Sequence, residues 1–116
     1  MQLTRLDDLT PFTTKDGSQI RELAHTGAQS LAEATVPPGG TTIRHFHRTS
    51  EELYLFTSGA GTMELGGQTR DVRAGDCVVI APGEVHGLDN PGSTPLVLLC
   101  CCSPPYRHDD TVLLDA

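Results

Sequence analysis

The segment RHFHRTSEELYLF, residues 44–56, places two histidines and two glutamates directly before a run of apolar residues. His45 and His47 are separated by a single residue. Side chains alternate between the two faces of a β-strand, so both imidazoles would project from the same face. A metal site requires such convergence, whereas two solvated strand residues do not. The pair alone does not decide between these two interpretations.

The glutamate pair offers one carboxylate to the same face. Glu52 alternates with Tyr54 and Phe56, so these three side chains would share a face and Glu51 would point to the opposite one. The same alternation predicts that Tyr54, Phe56 and Met63 line a cavity beside the histidines. The alternative for each of the three is ordinary core packing, because a barrel interior has to be filled in any case.

A third imidazole follows in APGEVH, residues 81–86, where His86 comes shortly after a Pro-Gly turn. The turn indicates that the backbone re-enters a sheet at this histidine. Three imidazoles and a carboxylate suit a divalent first-row transition metal such as Mn, Fe, Ni, Cu or Zn, with positions left open for substrate or water. The alternative is that His86 is a solvated loop residue.

The rest of the sequence predicts an all-β protein. Glycine or proline interrupts most segments before a helical pattern could extend over three turns. Short segments bounded by turn residues predict strands instead, and Gly66–Gly67 is a two-residue hairpin turn. The nine predicted strands are residues 18–25, 30–36, 41–47, 52–56, 61–65, 68–73, 76–81, 85–90 and 96–102. Short strands at this spacing are typical of a sandwich or a barrel.

Length and composition limit the possible functions. The 116 residues suit one domain, and 37% hydrophobic with 20% charged residues is typical of a folded globular chain. The net charge of -7 argues against a general nucleic-acid or anionic-membrane partner. No apolar run reaches the length of about 18 residues that a membrane span needs. The start, MQLTRLDDLTPF, lacks the apolar core of a secretory signal, so we expect a cytoplasmic location.

Three of the four cysteines, Cys100 to Cys102, are consecutive in the apolar run LVLLCCC. They suit small buried strand residues that stay reduced. A thiolate ligand or a redox pair is the functional alternative, but no CxxC spacing occurs. The runs LYLF, CVVIA and LVLLCCC are apolar on both faces, which requires either covering loops or a second subunit. We favour a homodimer.

Glycines at fixed distances surround the first group of candidate ligands. Five residues separate Gly39 from His45, four separate His47 from Glu52, and six separate Glu52 from Gly59. This pattern resembles the first signature motif of the cupin superfamily, G-x5-H-x-H-x3,4-E-x6-G. The motif spacing selects Glu52 as the ligand, in agreement with the strand alternation.

A second block, from Gly75 to Asn90, resembles the other cupin motif, G-x5-P-x-G-x2-H-x3-N. Two residues separate Gly83 from His86, and three separate His86 from Asn90. Ala81 stands where this motif has proline, and a proline follows one position later. The departure affects the turn before His86 and removes no ligand.

The resemblance implies a small antiparallel jelly-roll β-barrel in which residues 1–116 form a single cupin domain. The first motif occupies residues 39–59 and the second residues 75–90.

The resemblance also implies one divalent transition metal ion, held by His45, His47, Glu52 and His86, with Glu52 as a catalytic candidate. Such an ion could act as a Lewis acid or bind O2. A small apolar pocket beside it would suit a small organic acid, a diketone or a phenolic compound.

Two classes of function follow from this ligand set. The first is an enzyme, with an oxygenase favoured over a lyase or isomerase. The second is a non-catalytic module that binds a small ligand, and an intact set of ligands favours catalysis over binding alone. Tyr106 and His108, in the segment SPPYRHDDT, would either cap the barrel mouth and reach the substrate, or pack across a partner subunit or end the last strand.

Overall fold

The structure is a computed structural model, and it describes residues 1–114. Eleven strands and two short 3-10 helices, Leu6–Asp8 and His108–Asp110, form the secondary structure of this part of the chain. The strands are β1 (Phe12–Thr13), β2 (Gln19–His25), β3 (Ser30–Val36), β4 (His45–His47), β5 (Glu51–Ser58), β6 (Ala60–Leu65), β7 (Gln68–Arg73), β8 (Cys77–Ile80), β9 (His86–Asp89), β10 (Leu96–Ser103) and β11 (Thr111–Leu113).

The strands form two antiparallel sheets. The six-stranded sheet has the order β1-β2-β3-β10-β5-β8, and the five-stranded sheet has the order β11-β4-β9-β6-β7. Side chains from both sheets meet in one hydrophobic core, in which Phe56 and Leu98 are almost completely buried. The prediction of a small all-β jelly-roll barrel is therefore confirmed.

Most predicted strands are present with shifts of one or two residues at their ends. The hairpin between β6 and β7 turns at Gly66 and Gly67, whose φ angles of 57° and 84° favour glycine. The segment predicted as a strand over residues 41–47 is regular only from His45, and Thr41 forms an isolated bridge. Strands β1 and β11 were not predicted, because two or three residues are too short to show a periodic pattern.

The register of the six-stranded sheet arranges its inward side chains in rows across the strands. The first three rows are Ser30, Cys102, Glu52 and Ile80; Ala32, Cys100, Tyr54 and Val78; and Ala34, Leu98 and Phe56. Strand β3 thus contributes serine and alanine where β5 contributes large side chains. Because these β3 residues are small, space remains inside the barrel on the β3 side.

The outward face of the same sheet is unusually apolar near β5 and β8. Leu53, Leu55 and Val79 have exposed fractions of 39%, 41% and 58%. Leu53 and Val79 are direct neighbours across the β5–β8 pair. Within residues 1–114 no loop covers these three side chains fully, so the homodimer stays a prediction. In the same part of the chain, no helix is both long and apolar enough to cross a membrane.

Candidate metal centre

Three buried imidazoles converge on one point inside the barrel. His45 and His47 lie on the inward face of β4, and His86 begins β9 directly opposite His45. Their exposed fractions are 3%, 4% and 0%. One ring nitrogen from each histidine lies within 4.8 Å of the other two. The three histidines are therefore positioned to bind a metal ion.

The opposite ring nitrogens fix how each imidazole is presented. Nδ1 of His45 lies 2.8 Å from the carbonyl oxygen of Ile43, and Nδ1 of His86 lies 2.9 Å from that of Glu84. A carbonyl oxygen can only accept a hydrogen bond, so both Nδ1 atoms carry the proton. Their Nε2 atoms are left with a free lone pair, which is the form of imidazole that a metal binds.

A threonine on β11 fixes the proton of His47 on Nδ1. Its Nδ1 lies 3.1 Å from the hydroxyl of Thr111, which faces His47 across the β4–β11 pair. That hydroxyl donates its own hydrogen to the carbonyl oxygen of Arg107 over 3.1 Å. It can therefore only accept from Nδ1 of His47, and the Nε2 lone pair of this third imidazole is also free.

Glu52 completes the group. Its Oε1 lies 3.2 Å from Nε2 of His47 and 3.4 Å from Nε2 of His86, while Oε2 accepts a hydrogen bond from the thiol of Cys102 over 3.2 Å. Within residues 1–114, Oε1 of Glu52 and Nε2 of His86 are buried and have no hydrogen-bond partner.

These distances match ligands that share an ion. Two ligand atoms bound to the same ion at about 2.0–2.2 Å lie roughly 3.0–3.6 Å apart. Lone pairs of two imidazoles and a carboxylate oxygen would repel each other at such separations without positive charge between them. A divalent cation supplies that charge, so the residues present fit a bound metal.

The ionisation states agree with this geometry. Burial would raise the pKa of Glu52, but an Nε2 proton on His47 or His86 would outweigh that effect and bring the pKa to about 2, and a cation held at the same nitrogens would act in the same direction. Burial, with a further contribution from His86, lowers the pKa of His45. An ionised carboxylate and a neutral imidazole are the forms that bind a metal.

A small cavity with a volume of about 50 Å³ is lined in part by His45 and His47. Tyr54 lies in its wall, in the row next to Glu52. Phe56 and Met63 are buried in the hydrophobic core and do not line this cavity, which corrects the prediction for these two residues. Strand alternation gives the face of a side chain but not its distance from the site, and Phe56 lies four residues, or roughly 13 Å, along the strand from Glu52.

Sequence reasoning missed two acidic residues of the cavity, Glu22 and Asp16, and the second of these is close to a histidine. Asp16 lies in the turn between β1 and β2 and is 8% exposed. Its Oδ2 lies 3.6 Å from Nε2 of His45. The sequence KDGS contained a signal for the turn, since aspartate before glycine is a frequent turn pair, but no signal for the proximity to His45.

The segment after β10 supports the site from outside. The carboxylate of Asp110 accepts hydrogen bonds from the backbone and hydroxyl of Thr49 and from the backbone of Ser50, over 2.8–3.2 Å. Residues 49 and 50 connect β4 to β5, so Asp110 fixes the link between His47 and Glu52. Tyr106 lines the cavity and its ring centroid lies 5.9 Å from that of His47, whereas His108 is exposed.

The cysteines are free thiols. Burial raises the pKa of Cys100 and of Cys102, and the nearby charge of Glu52 raises both further. The two side chains face inward and line the cavity as neutral groups, with the thiol of Cys102 donating to Glu52. Cys77 is exposed on β8. This agrees with the prediction that the cysteines stay reduced, although of Cys100 to Cys102 only Cys102 is fully buried.

Comparison with known proteins identifies the family. The sequence matches the cupin domain family over residues 32–102, which includes the three histidines, Glu52 and Cys102. The chain is a member of the cupin family. This matched region spans from β3 to β10 and leaves Asp16, Asp110 and Thr111 outside it.

This cupin has relatives with different descriptions. It is 46% identical over 117 residues to the uncharacterized protein MJ1618 of Methanocaldococcus jannaschii, with 97% of this chain and 94% of the relative covered. It is 32% identical over 79 residues to the oxalate-binding protein of Thermotoga maritima, with 68% and 65% covered. Among solved structures, the polyketide cyclase RemF of Streptomyces resistomycificus superposes with a TM-score of 0.83 at 21% identity, covering 100% of this chain and 87% of the cyclase. The last likeness shows the fold alone.

Proposed function

We propose that this cupin is a metal-dependent enzyme that acts on a small molecule at a centre formed by His45, His47, His86 and Glu52. The observation that carries the proposal is the orientation of the imidazoles. All three donate from Nδ1 to fixed acceptors, and they present unprotonated Nε2 atoms beside an ionised carboxylate and a cavity.

A bound divalent ion would supply Lewis-acid chemistry and, if redox-active, oxygen chemistry. The chain's own residues orient the reaction. Glu52 is the catalytic candidate because it would touch the ion, and its second oxygen is held by Cys102. Tyr54 and Tyr106 form part of the wall against which a substrate would lie. The small cavity volume favours a substrate of a few heavy atoms.

The proposed reaction class is an oxygenase, with a lyase or isomerase as the alternative. Three imidazoles and one carboxylate serve all of these reactions, so the identity of the ion is the most informative measurement. Iron or copper in protein purified without chelator would favour oxygen chemistry, and zinc would favour proton transfer. A third possibility, binding without catalysis, is favoured by the relative described as an oxalate-binding protein.

Metal stoichiometry tests the site directly. We expect about one divalent ion per chain in the wild type and none in His86→Ala, with His108→Ala as the matched control because that histidine is exposed. Equal occupancy in His86→Ala and the wild type would refute the centre. Chelated protein should keep its strand content by circular dichroism and lose any activity until metal is returned, because the hydrophobic core does not depend on the ion.

We also propose a homodimer located in the cytoplasm. The exposed apolar residues Leu53, Leu55 and Val79 support a subunit contact on the outward face of β5 and β8. Light scattering should give the mass of a dimer at micromolar concentration, and Leu53→Glu should shift it to the monomer. A monomeric wild type would refute the dimer.

A further inference from the structure

Besides Glu52, the cavity contains the carboxylates of Asp16 and Glu22, which the family match does not cover, and that of Asp16 faces His45. Oδ1 of Asp16 accepts hydrogen bonds from the hydroxyl of Thr14 and from the backbone and hydroxyl of Ser18, over 2.6–3.0 Å. The backbone oxygen of Asp16 accepts a further bond from Ile43 over 2.8 Å. With Oδ1 anchored in this way, Oδ2 is directed towards Nε2 of His45 at 3.6 Å.

The charged side chains around the cavity are mainly acidic. Its acidic lining residues are Asp16, Glu22 and Glu52, and no lysine or arginine lines it within residues 1–114. Lys15 is adjacent in sequence, but its ammonium donates to the backbone oxygen of Thr111 over 2.9 Å. A divalent ion is thus balanced by the carboxylates of Glu52 and Asp16, and Glu22, whose Oε2 lies 3.2 Å from Nδ1 of His25, adds a further carboxylate to the lining. A dianion that entered the cavity would meet no net positive charge.

The other polar groups of the lining are mostly hydroxyls. Thr14, Ser18, Ser30 and Thr42 contribute them, and small or apolar side chains such as Ala32 form the remaining wall. An ionised carboxylate can only accept hydrogen bonds, so Oδ2 of Asp16 suits a ligand that brings its own donor. A hydroxyl group next to the atom that faces the ion would meet this requirement.

We propose that Asp16 determines specificity, by selecting a small neutral ligand that carries a hydroxyl group beside its metal-binding oxygen, such as an α-hydroxycarbonyl compound, over a dianion such as oxalate. The inference rests on the proposed metal centre and adds the substrate class. The proposed ligand differs from the oxalate in the name of the Thermotoga relative. The carboxylate of Asp16, which would select this ligand, lies outside the region matched to the family.

Calorimetric titrations with hydroxyacetone and with oxalate test the proposal. Wild type, Asp16→Asn and Asp71→Asn are each loaded with one equivalent of Mn²⁺, and retained Mn²⁺ is measured after every titration. Asp71 is an exposed residue of β7, so its variant has the same net charge as Asp16→Asn without changing the cavity. Removing a charge so close to the ligand should raise oxalate affinity by at least about tenfold. It should lower hydroxyacetone affinity, and Asp71→Asn should behave as the wild type.

The outcomes separate the inference from the metal centre. Wild type that binds hydroxyacetone more tightly than oxalate, with the preference reversed in Asp16→Asn, supports the role of Asp16. Wild type that prefers oxalate, or an unchanged preference in Asp16→Asn, overturns it while leaving the metal centre intact. Full Mn²⁺ binding by His86→Ala would instead overturn the centre, and the inference with it.

Discussion

The two ends of the barrel interior are equally buried but are organised in different ways. At one end, Glu52 and the three histidines are held by hydrogen bonds to backbone oxygens, a threonine and a thiol. At the other end, Phe56, Leu98 and Val36 are packed in the apolar core, with exposed fractions of 2% or less. Glu52 and Phe56 even lie on the same face of the same strand.

The difference indicates that the two ends of β5 have different roles. Apolar packing at the Phe56 end is non-directional and contributes to the free energy of folding in proportion to the area buried. Hydrogen bonding at the Glu52 end contributes less net stability, because it replaces bonds to water, but it fixes the orientation of polar atoms. Substitutions at the two ends should therefore change different properties.

The largest effect is expected at the apolar end. Phe56→Ala should lower the free energy of unfolding by about 3–5 kcal/mol, because it leaves a cavity in the core. Folded protein should still bind about one metal ion per chain. Urea denaturation and metal analysis of the same sample provide the test, with Phe56→Leu as the milder variant. Loss of the ion from folded Phe56→Ala would contradict the proposal that the two ends of β5 have different roles.

The next effect is expected at the polar end. Glu52→Gln should weaken metal binding by at least about 100-fold, since losing a ligand costs more than losing an outer partner of a ligand. Glu51→Gln is the matched control, because its side chain is exposed on the opposite face of β5. Competition with a chromogenic chelator measures both affinities. Equal losses in the two variants would show that the strand face does not matter.

The Asp110 carboxylate should make the free energy of unfolding depend on pH. Burial raises the pKa of Asp110, but the hydrogen bonds from Thr49 and Ser50 outweigh this and hold it below its usual value. The stabilisation is therefore present above the unfolded pKa of about 3.9 and is lost as the pH falls through the lowered folded value.

At neutral pH, Asp110→Asn should cost about 2 kcal/mol, which is typical of hydrogen bonds to a charged group. The difference from the wild type should shrink in urea denaturation as the pH is lowered from 7 to 3. Asp109→Asn, at the exposed neighbouring position, should show no comparable difference at any pH. A gap between wild type and Asp110→Asn that widens on acidification would contradict the assigned role.

The smallest effect concerns the partner of His47. Thr111→Val keeps the shape of the side chain but removes the acceptor for Nδ1, and it should weaken metal binding about tenfold. Thr111→Ser retains the hydroxyl and should restore most of the affinity. Because the two variants differ in the hydroxyl, a loss of equal size in both would point to packing rather than to the orientation of His47.

The amino-acid sequence is sufficient for the parts of the molecule that repeat locally. Alternation along β5 predicts that Glu52 points inward and Glu51 outward, and the protein has this arrangement. The hairpin at residues 66–67 follows from the conformational freedom of paired glycines. Both inferences depend only on residues that are close together in the chain, and local patterns carry that information completely.

Contacts between distant segments cannot be predicted in the same way. Asp16 and Thr111 come from irregular or very short elements, and only the closed barrel brings them to His45 and His47. The prediction that Phe56 and Met63 line the cavity is wrong because alternation specifies a face without specifying a depth. Local sequence patterns therefore predict only some of the residues nearest the ligand nitrogens.

Because β11 pairs with β4, the metal centre is completed only after β11 has been synthesised. The acceptor that orients His47 belongs to residue 111, about sixty positions later in the chain. Domains fold as units during translation, and pairings between distant segments form late. A nascent chain that already exposes all four ligand side chains would still lack the strand that orients one of them. We therefore expect a nascent chain that lacks β11 to bind the ion more weakly than the finished centre does.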